Sequence, residues 1–207
     1  MPQDIKPTRS ELLKLKKQIK LAKSGYNLLK KKRDGLILEF FDILKTAKTI
    51  RRELTEIYKG ALFKVNITRA TEGDIPIKSL ALSIAEPPEI KIETKNIMGV
   101  TVPKIQAQQL KKTSFERGYG FIGVSARVDE AAEAFEKVIE YVIRVAEIET
   151  SMKKLLKEIE KTKRRVNALE YEIIPKLEKT KIFISLRLEE MERENIFRLK
   201  RIKKRIS

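Results

Sequence analysis

Cysteine, histidine and tryptophan do not occur anywhere in the 207 residues of this chain. Without cysteine there can be no disulfide framework and no thiolate metal site. Without histidine the commonest metal ligand and general base are missing. These absences fit a reducing compartment. Glycine (8) and proline (7) are sparse, and aromatic residues make up only 6%. That composition lies closer to a long helical coiled coil than to a compact core. No stretch approaches the roughly 20 apolar residues of a membrane span. Residues Met1 to Pro7 hold no apolar run of the kind a signal peptide carries. A soluble protein is expected, with peripheral attachment to a membrane complex still open.

What the chain does have is charge. Charged residues make up 36% of it and the formal net charge is +17. High charge can signal disorder, but regular apolar spacing on both flanks of this sequence argues for folded helices. An excess this large suits an acidic partner, whether nucleic acid, anionic lipid or an acidic protein surface. The excess is strongest in the first 70 residues and at the C-terminal end, where Lys200, Arg201, Lys203, Lys204 and Arg205 meet no acid. Most of these cations read as the solvated flanks of a helix.

The apolar residues are ordered by steps of three and four. From the N-terminal side they run Leu12, Leu15, Ile19, Ala22, Tyr26, Leu29, Leu36, Phe40, Ile43, Ala47, Ile50, Leu54, Ile57 and Ala61, and only Arg33 puts a charge in a slot. A seven-residue repeat held this long predicts a left-handed coiled coil. Thr8 and Glu11 form a capping-box pattern at its start. Carried to about residue 66, the helix would extend roughly 85–90 Å. Gly25, Gly35 and Gly60 weaken it without ending it.

A second stripe follows Gly123, with Ser125 placed as N-cap and Asp129 and Glu130 in the first turn. It reads Val128, Ala131, Phe135, Val138, Val142 and Val145, then skips register. It resumes as Ile148, Met152, Leu155, Ile159, Thr162, Val166, Leu169 and Ile173, and beyond Pro175 as Leu177, Thr180, Ile184, Leu188, Met191, Leu199 and Ile202. Pro175 should bend this helix without stopping it. The second helix, about 120 Å at this length, is longer than the first, so one end should project past the pair.

Between the helices the texture changes. Gly73-Asp74-Ile75-Pro76 reads as a turn. Leu80, Leu82 and Ile84 then alternate with Ser79, Ala81 and Ser83 until Pro87-Pro88. Ile90 and Ile92 alternate with Glu89, Lys91 and Glu93, and Val100 and Val102 follow Asn96-Ile97-Met98-Gly99. Two or three short antiparallel strands are expected here, leaning on the coiled coil or on a partner. The fold class is therefore mainly α: an antiparallel two-helix coiled coil with a small β-hairpin region in mid-chain. The expected segments are 1–66, 67–124 and 125–207.

Motifs for chemistry are few. Gly118-Tyr119-Gly120-Phe121-Ile122-Gly123 matches G-x-G-x-x-G, but the polar stretch Lys111–Arg117 before it is no strand and no second parallel strand can follow. A re-entry loop is the better reading. No phosphate loop occurs, and Asn66-Ile67-Thr68 matches a glycosylation sequon only by pattern. The carboxylates interleave with Lys and Arg along helices, as surface pairs do. No catalytic, cofactor-binding or metal-binding residues are identified. A nucleic-acid-binding coiled coil or a structural tether is the alternative reading, although no known nucleic-acid module is legible and stacking aromatics are few.

Three segments together resemble the D subunit of the V-type and archaeal A-type rotary ATPases. The first is Pro7-Thr8-Arg9, followed by Leu12-Leu13-Lys14-Leu15-Lys16 and by Ala22 to Asp34. The second is Asn96-Ile97-Met98-Gly99-Val100 with Pro103. The third is Arg165 to Tyr171 with Ile174-Pro175, then Leu188 to Glu194 and Arg198-Leu199-Lys200. The resemblance implies a non-catalytic rotor shaft in the central stalk, binding no cofactor. It implies partners in the catalytic and nucleotide-binding members of the ring, in the small F subunit of the stalk and in a funnel-shaped subunit on the membrane rotor ring. Nucleic acid is not implied, and the membrane is met only indirectly, from the cytoplasmic side. Lys14, Lys17, Lys20 and the five tail cations are expected to face the ring.

Overall fold

The computed structural model describes residues 6–83, 89–107, 117–119 and 124–206. In chain order the elements are α1 (Arg9–Glu72), α2 (Asp74–Ser83), β1 (Ile90–Ile97), β2 (Val100–Ala107), α3 (Ala126–Ala168) and α4 (Ile174–Ile206). A single π-helical turn, Leu169–Ile173, joins α3 to α4. The chain is mainly helical, its long N- and C-terminal helices pack together, and the hairpin falls between them in sequence. Two compact units are present, Met1–Gly35 with Ile159–Ser207, and Leu36–Glu158.

Local chemistry sets the ends of α1. The Glu11 N–H donates to the Thr8 hydroxyl at 3.2 Å, so threonine caps the helix, while the Glu11 carboxylate turns to Lys14 Nζ at 2.8 Å. The helix passes residue 66 and stops at Gly73, whose φ of 88° lies in the left-handed region and whose N–H bonds the Arg69 carbonyl at 3.0 Å. Asp74 then opens α2 and binds both Arg69 (3.3 Å) and Lys78 (3.1 Å).

The alternation at Leu80 and Leu82 predicts a strand, and the structure corrects it to helix. An acidic first residue, Pro76 in the first turn and an i,i+4 pair from Asp74 to Lys78 favour the helix, and none of these features appears in a period-two count. Leu82 is exposed and Leu80 half-buried, so the alternation is not used. Ile84, Pro87-Pro88, Lys111 to Glu116 and Gly120 to Gly123 lie outside the described residues.

β1 and β2 form one antiparallel hairpin with Ile97 opposite Val100. Its two-residue loop has Met98 at φ 49° and Gly99 at φ 87°, both positive as a type I′ turn requires. The Asn96 side chain accepts the Gly99 N–H at 2.8 Å. Counting outward from this turn, Thr94–Pro103 and Ile92–Ile105 fall on non-hydrogen-bonded pairs. Pro103 thus costs the ladder no donor, and the outward N–H of Ile105 is free to bond Glu147 of α3 at 3.2 Å. Val100 and Val102 are buried. The hairpin leans on α3 through this edge.

Candidate functional site: the helix seam and its charged surroundings

In the unit formed by residues 1–35 and 159–207, α1 and α4 run antiparallel. Arg9 pairs with Glu192, and Lys23 with Glu178 at 2.7 Å. Leu15 and Ile19 of α1, Thr162 and Val166 at the end of α3, and Ile184 of α4 are buried in this unit, and Leu12, Tyr26, Leu29, Ile159, Leu169, Leu177 and Leu188 are half-buried. Each fully buried aliphatic side chain contributes about 1.5–3 kcal/mol. Ile173 and Met191, both placed on the stripe by their spacing, are exposed instead.

In the unit formed by residues 36–158, Leu36, Ala61, Val138 and Leu155 are buried, and Phe40, Ile43, Ile50, Leu54, Val145 and Met152 are half-buried. Thr68 is buried too, its hydroxyl 2.9 Å from the Lys64 carbonyl and 3.3 Å from that of Arg127. Val142 is 47% exposed, and the neighbouring Tyr141 is the half-buried residue. With Tyr141 in the slot, the sequence Val138, Tyr141, Val145, Ile148, Met152 and Leu155 alternates steps of three and four. The register skip expected after Val145 therefore falls earlier, where Phe135, Val138 and Tyr141 follow one another at two successive steps of three. Where the small Ala47 occupies a slot, a cavity of about 200 Å³ opens, lined also by Leu44, Ile50, Val145, Ile148 and Met152.

The charged seam slot, Arg33, is satisfied locally: its Nε and Nη2 lie 3.0 and 2.8 Å from Asp34 Oδ1. Arg117 is a different case. Its side chain is 6% exposed, with Nη1 3.0 Å from Asp129 Oδ1 and Nε 3.0 Å from Glu136 Oε1. Burial is the largest influence and opposes its charge, yet hydrogen bonding and charge attraction from Glu136 and Tyr119 together outweigh it and hold its pKa above the ordinary value. Tyr119 donates to the same Asp129 oxygen at 2.7 Å. Burial first, and then this bond to Asp129, push the phenol pKa upward. Between them Gly118 has φ 82°, and a Cβ there would sit 3.0 Å from the Ser83 carbonyl oxygen. Arg117-Gly118-Tyr119 is thus a clip joining the end of α2 to the first turns of α3. Sequence reading missed it, because Asp129 and Glu136 look like ordinary helix-surface acids.

The expected ring-facing cations Lys14, Lys17, Lys20, Lys200, Arg201, Lys203, Lys204 and Arg205 are all exposed. Lys14 is engaged by Glu11. None of the five tail cations has an acidic partner among the described residues. From Met191 to Ile206 every residue of α4 is exposed, including Ile196, Phe197, Leu199, Ile202 and Ile206. Since α1 begins at Arg9, opposite Glu192, α4 outruns it. Among the described residues no group of acids is placed to hold a metal, and no helix is long and apolar enough to cross a membrane.

Paired helices with buried apolar stripes in each of the two units, and an exposed basic helix end, place the chain among coiled-coil proteins. The model of the ATP synthase D subunit family matches residues 11–204, and the chain belongs to that family. It is 58% identical over 201 residues to the A-type ATP synthase D subunit of Methanococcoides burtonii, covering 97% of this chain and 98% of the relative. It is 55% identical over 204 residues to that of Methanosarcina acetivorans (99% and 98% covered). To that of Haloquadratum walsbyi it is 52% identical over 203 residues (98% and 88% covered).

Proposed function

We propose that the chain is the shaft of the central stalk of an A-type rotary ATPase. It would couple the state of the catalytic ring to rotation of the membrane ion-translocating ring, while itself catalysing nothing. The observation that carries this reading is the paired seam from which α4 runs on past the start of α1 as an exposed, basic, apolar-striped helix end. A shaft must resist bending and twisting, which a continuous apolar seam provides. It must also turn in its bearing without sticking, which charged outer faces favour. In this reading the helix end and the lysines at 14, 17 and 20 lie within the ring of catalytic and nucleotide-binding subunits, on the cytoplasmic side. The small F subunit and the funnel-shaped subunit meet the chain toward the membrane, and the hairpin serves docking or regulation there.

The absence of native cysteine makes the test direct. A single cysteine at Ile202, paired with one on a facing catalytic subunit of the reconstituted complex, should form a disulfide that halts ATP turnover and releases it on reduction. Turnover that continues through the cross-link would refute rotation of this chain. If the chain left the complex and followed nucleic acid until about 0.5 M salt stripped it, the alternative of a basic nucleic-acid coiled coil would stand instead.

A further inference from the structure

The join between α3 and α4 is an inserted residue held in one place. Up to Leu169 the inward-facing positions keep their rhythm through Ile159, Thr162, Val166 and Leu169. A continuous α-helix would next bring in Ile173, Lys176, Thr180, Phe183 and Arg187, a stripe broken by charges. The residues that turn inward are Ile174, Leu177, Ile184 and Leu188, each one place later, while Ile173 is exposed. The extra residue is taken up in the π-helical turn, where the Ile174 N–H bonds the Leu169 carbonyl five residues back.

Its position follows from the next residue. Pro175 has no N–H to give the Tyr171 carbonyl, and its ring would press on that carbonyl in a regular turn. A wide turn just before proline relieves both problems. Glu170, Tyr171, Glu172 and Ile173 are all on the outer side of the turn, with Tyr171 and Ile173 well exposed, so the turn widens into solvent and leaves the seam intact.

We propose that Leu169–Ile173 is a phase-setting insertion pinned by Pro175. It turns the whole of α4 by about 100° relative to an uninterrupted helix and so decides which face the unpaired end presents. Only the meaning of that face for rotation rests on the shaft reading; the pairing itself can be tested on the full-length chain alone.

The test uses two single-residue deletions in a Pro175→Ala background, which removes the penalty of proline in a regular helix. Deleting Glu172 returns the turn to α-helix and leaves Ile174, Leu177, Ile184 and Leu188 on the seam. Deleting Lys179 moves Ile184 and Leu188 off it. The readouts are thermal midpoint and disulfide formation between Arg9→Cys and Glu192→Cys. The Glu172 deletion should keep the cross-link and shift Tm by less than about 3 °C, whereas the Lys179 deletion should lose the cross-link and more than about 10 °C. Equal damage from both deletions would overturn the proposal, and so would equal tolerance of both.

Discussion

Arg117 and the cations that end α4 carry the same charge in opposite surroundings. Arg117 is buried and held by two carboxylates, Asp129 and Glu136. Lys200, Arg201, Lys203, Lys204 and Arg205 are exposed and have no acid beside them among the described residues. The difference separates charge that builds the fold from charge left for something else. A buried cation must find its anions within the chain, because desolvation without a partner costs several kcal/mol. An exposed one needs none, and what it offers is a long-range field. Net charge alone would credit both kinds equally.

The largest effect expected is at Arg117. Replacing it with Ala strands Glu136 and part-buried Asp129 beside each other and unfastens the clip that carries Gly118 against Ser83. We expect a loss of about 3 kcal/mol in urea unfolding, at the low end for a broken buried pair because Asp129 is partly exposed. An Arg117→Met change that cost as little as a tail substitution would erase the contrast.

Next in size is a neighbouring pair on α3. Tyr141→Ala should cost about 2 kcal/mol, since it removes a half-buried ring from the seam, and Val142→Ala less than about 0.5 kcal/mol. The reverse order would put Val142 back on the seam, as its spacing alone suggests.

That pair also marks how far the sequence could be read. The N-terminal stripe was legible because one apolar residue stands at nearly every slot and its neighbours are charged. At Tyr141-Val142 both residues are apolar, and only the packing against α1 decides which turns inward. The hairpin was legible from Gly99 and the flanking β-branched residues, since few sequences can take two positive φ angles in succession. α2 was not, because Leu alternating with Ser and Ala over Ser79–Ser83 fits either a strand or one face of a short helix. The wide turn escaped notice for a related reason: Leu169, Ile173 and Leu177 are spaced well enough for an unbroken helix, and Ile173-Ile174 are interchangeable on paper. The Arg117 clip joins groups 12 and 19 residues apart, which no local pattern connects.

A smaller effect should appear at alkaline pH. Tyr119 has its phenol pKa raised above the ordinary value of 10.0, so the folded chain holds this proton more tightly than the unfolded one. Its contribution is complete below pH 10 and is lost as the pH climbs through the raised value. Tyr119→Phe should therefore flatten the fall of stability above pH 10, measured as Tm against pH, while leaving the curve near neutrality parallel to that of the parent. If the two chains lost stability identically between pH 9 and 11, Tyr119 would not be among the groups responsible.

The smallest effect on stability is expected where the net charge is greatest. Changing Lys200, Arg201, Lys203, Lys204 and Arg205 together to Gln removes five charges without breaking an ion pair to any described residue, so ΔG of unfolding should move by less than about 0.5 kcal/mol. The relief of mutual repulsion could even raise it slightly, because like charges spaced three and four apart on a helix oppose one another. Assembly with the rest of the complex is where these cations should count. Attraction between exposed charges is screened over about 8 Å at physiological ionic strength, so the variant's defect should be largest at low salt and vanish as salt rises. Native gels of the reconstituted complex across a salt series would read both limits. A defect independent of salt would mean that the tail acts through its apolar stripe, Ile196, Leu199, Ile202 and Ile206, and that the cations keep that stripe soluble until it is covered.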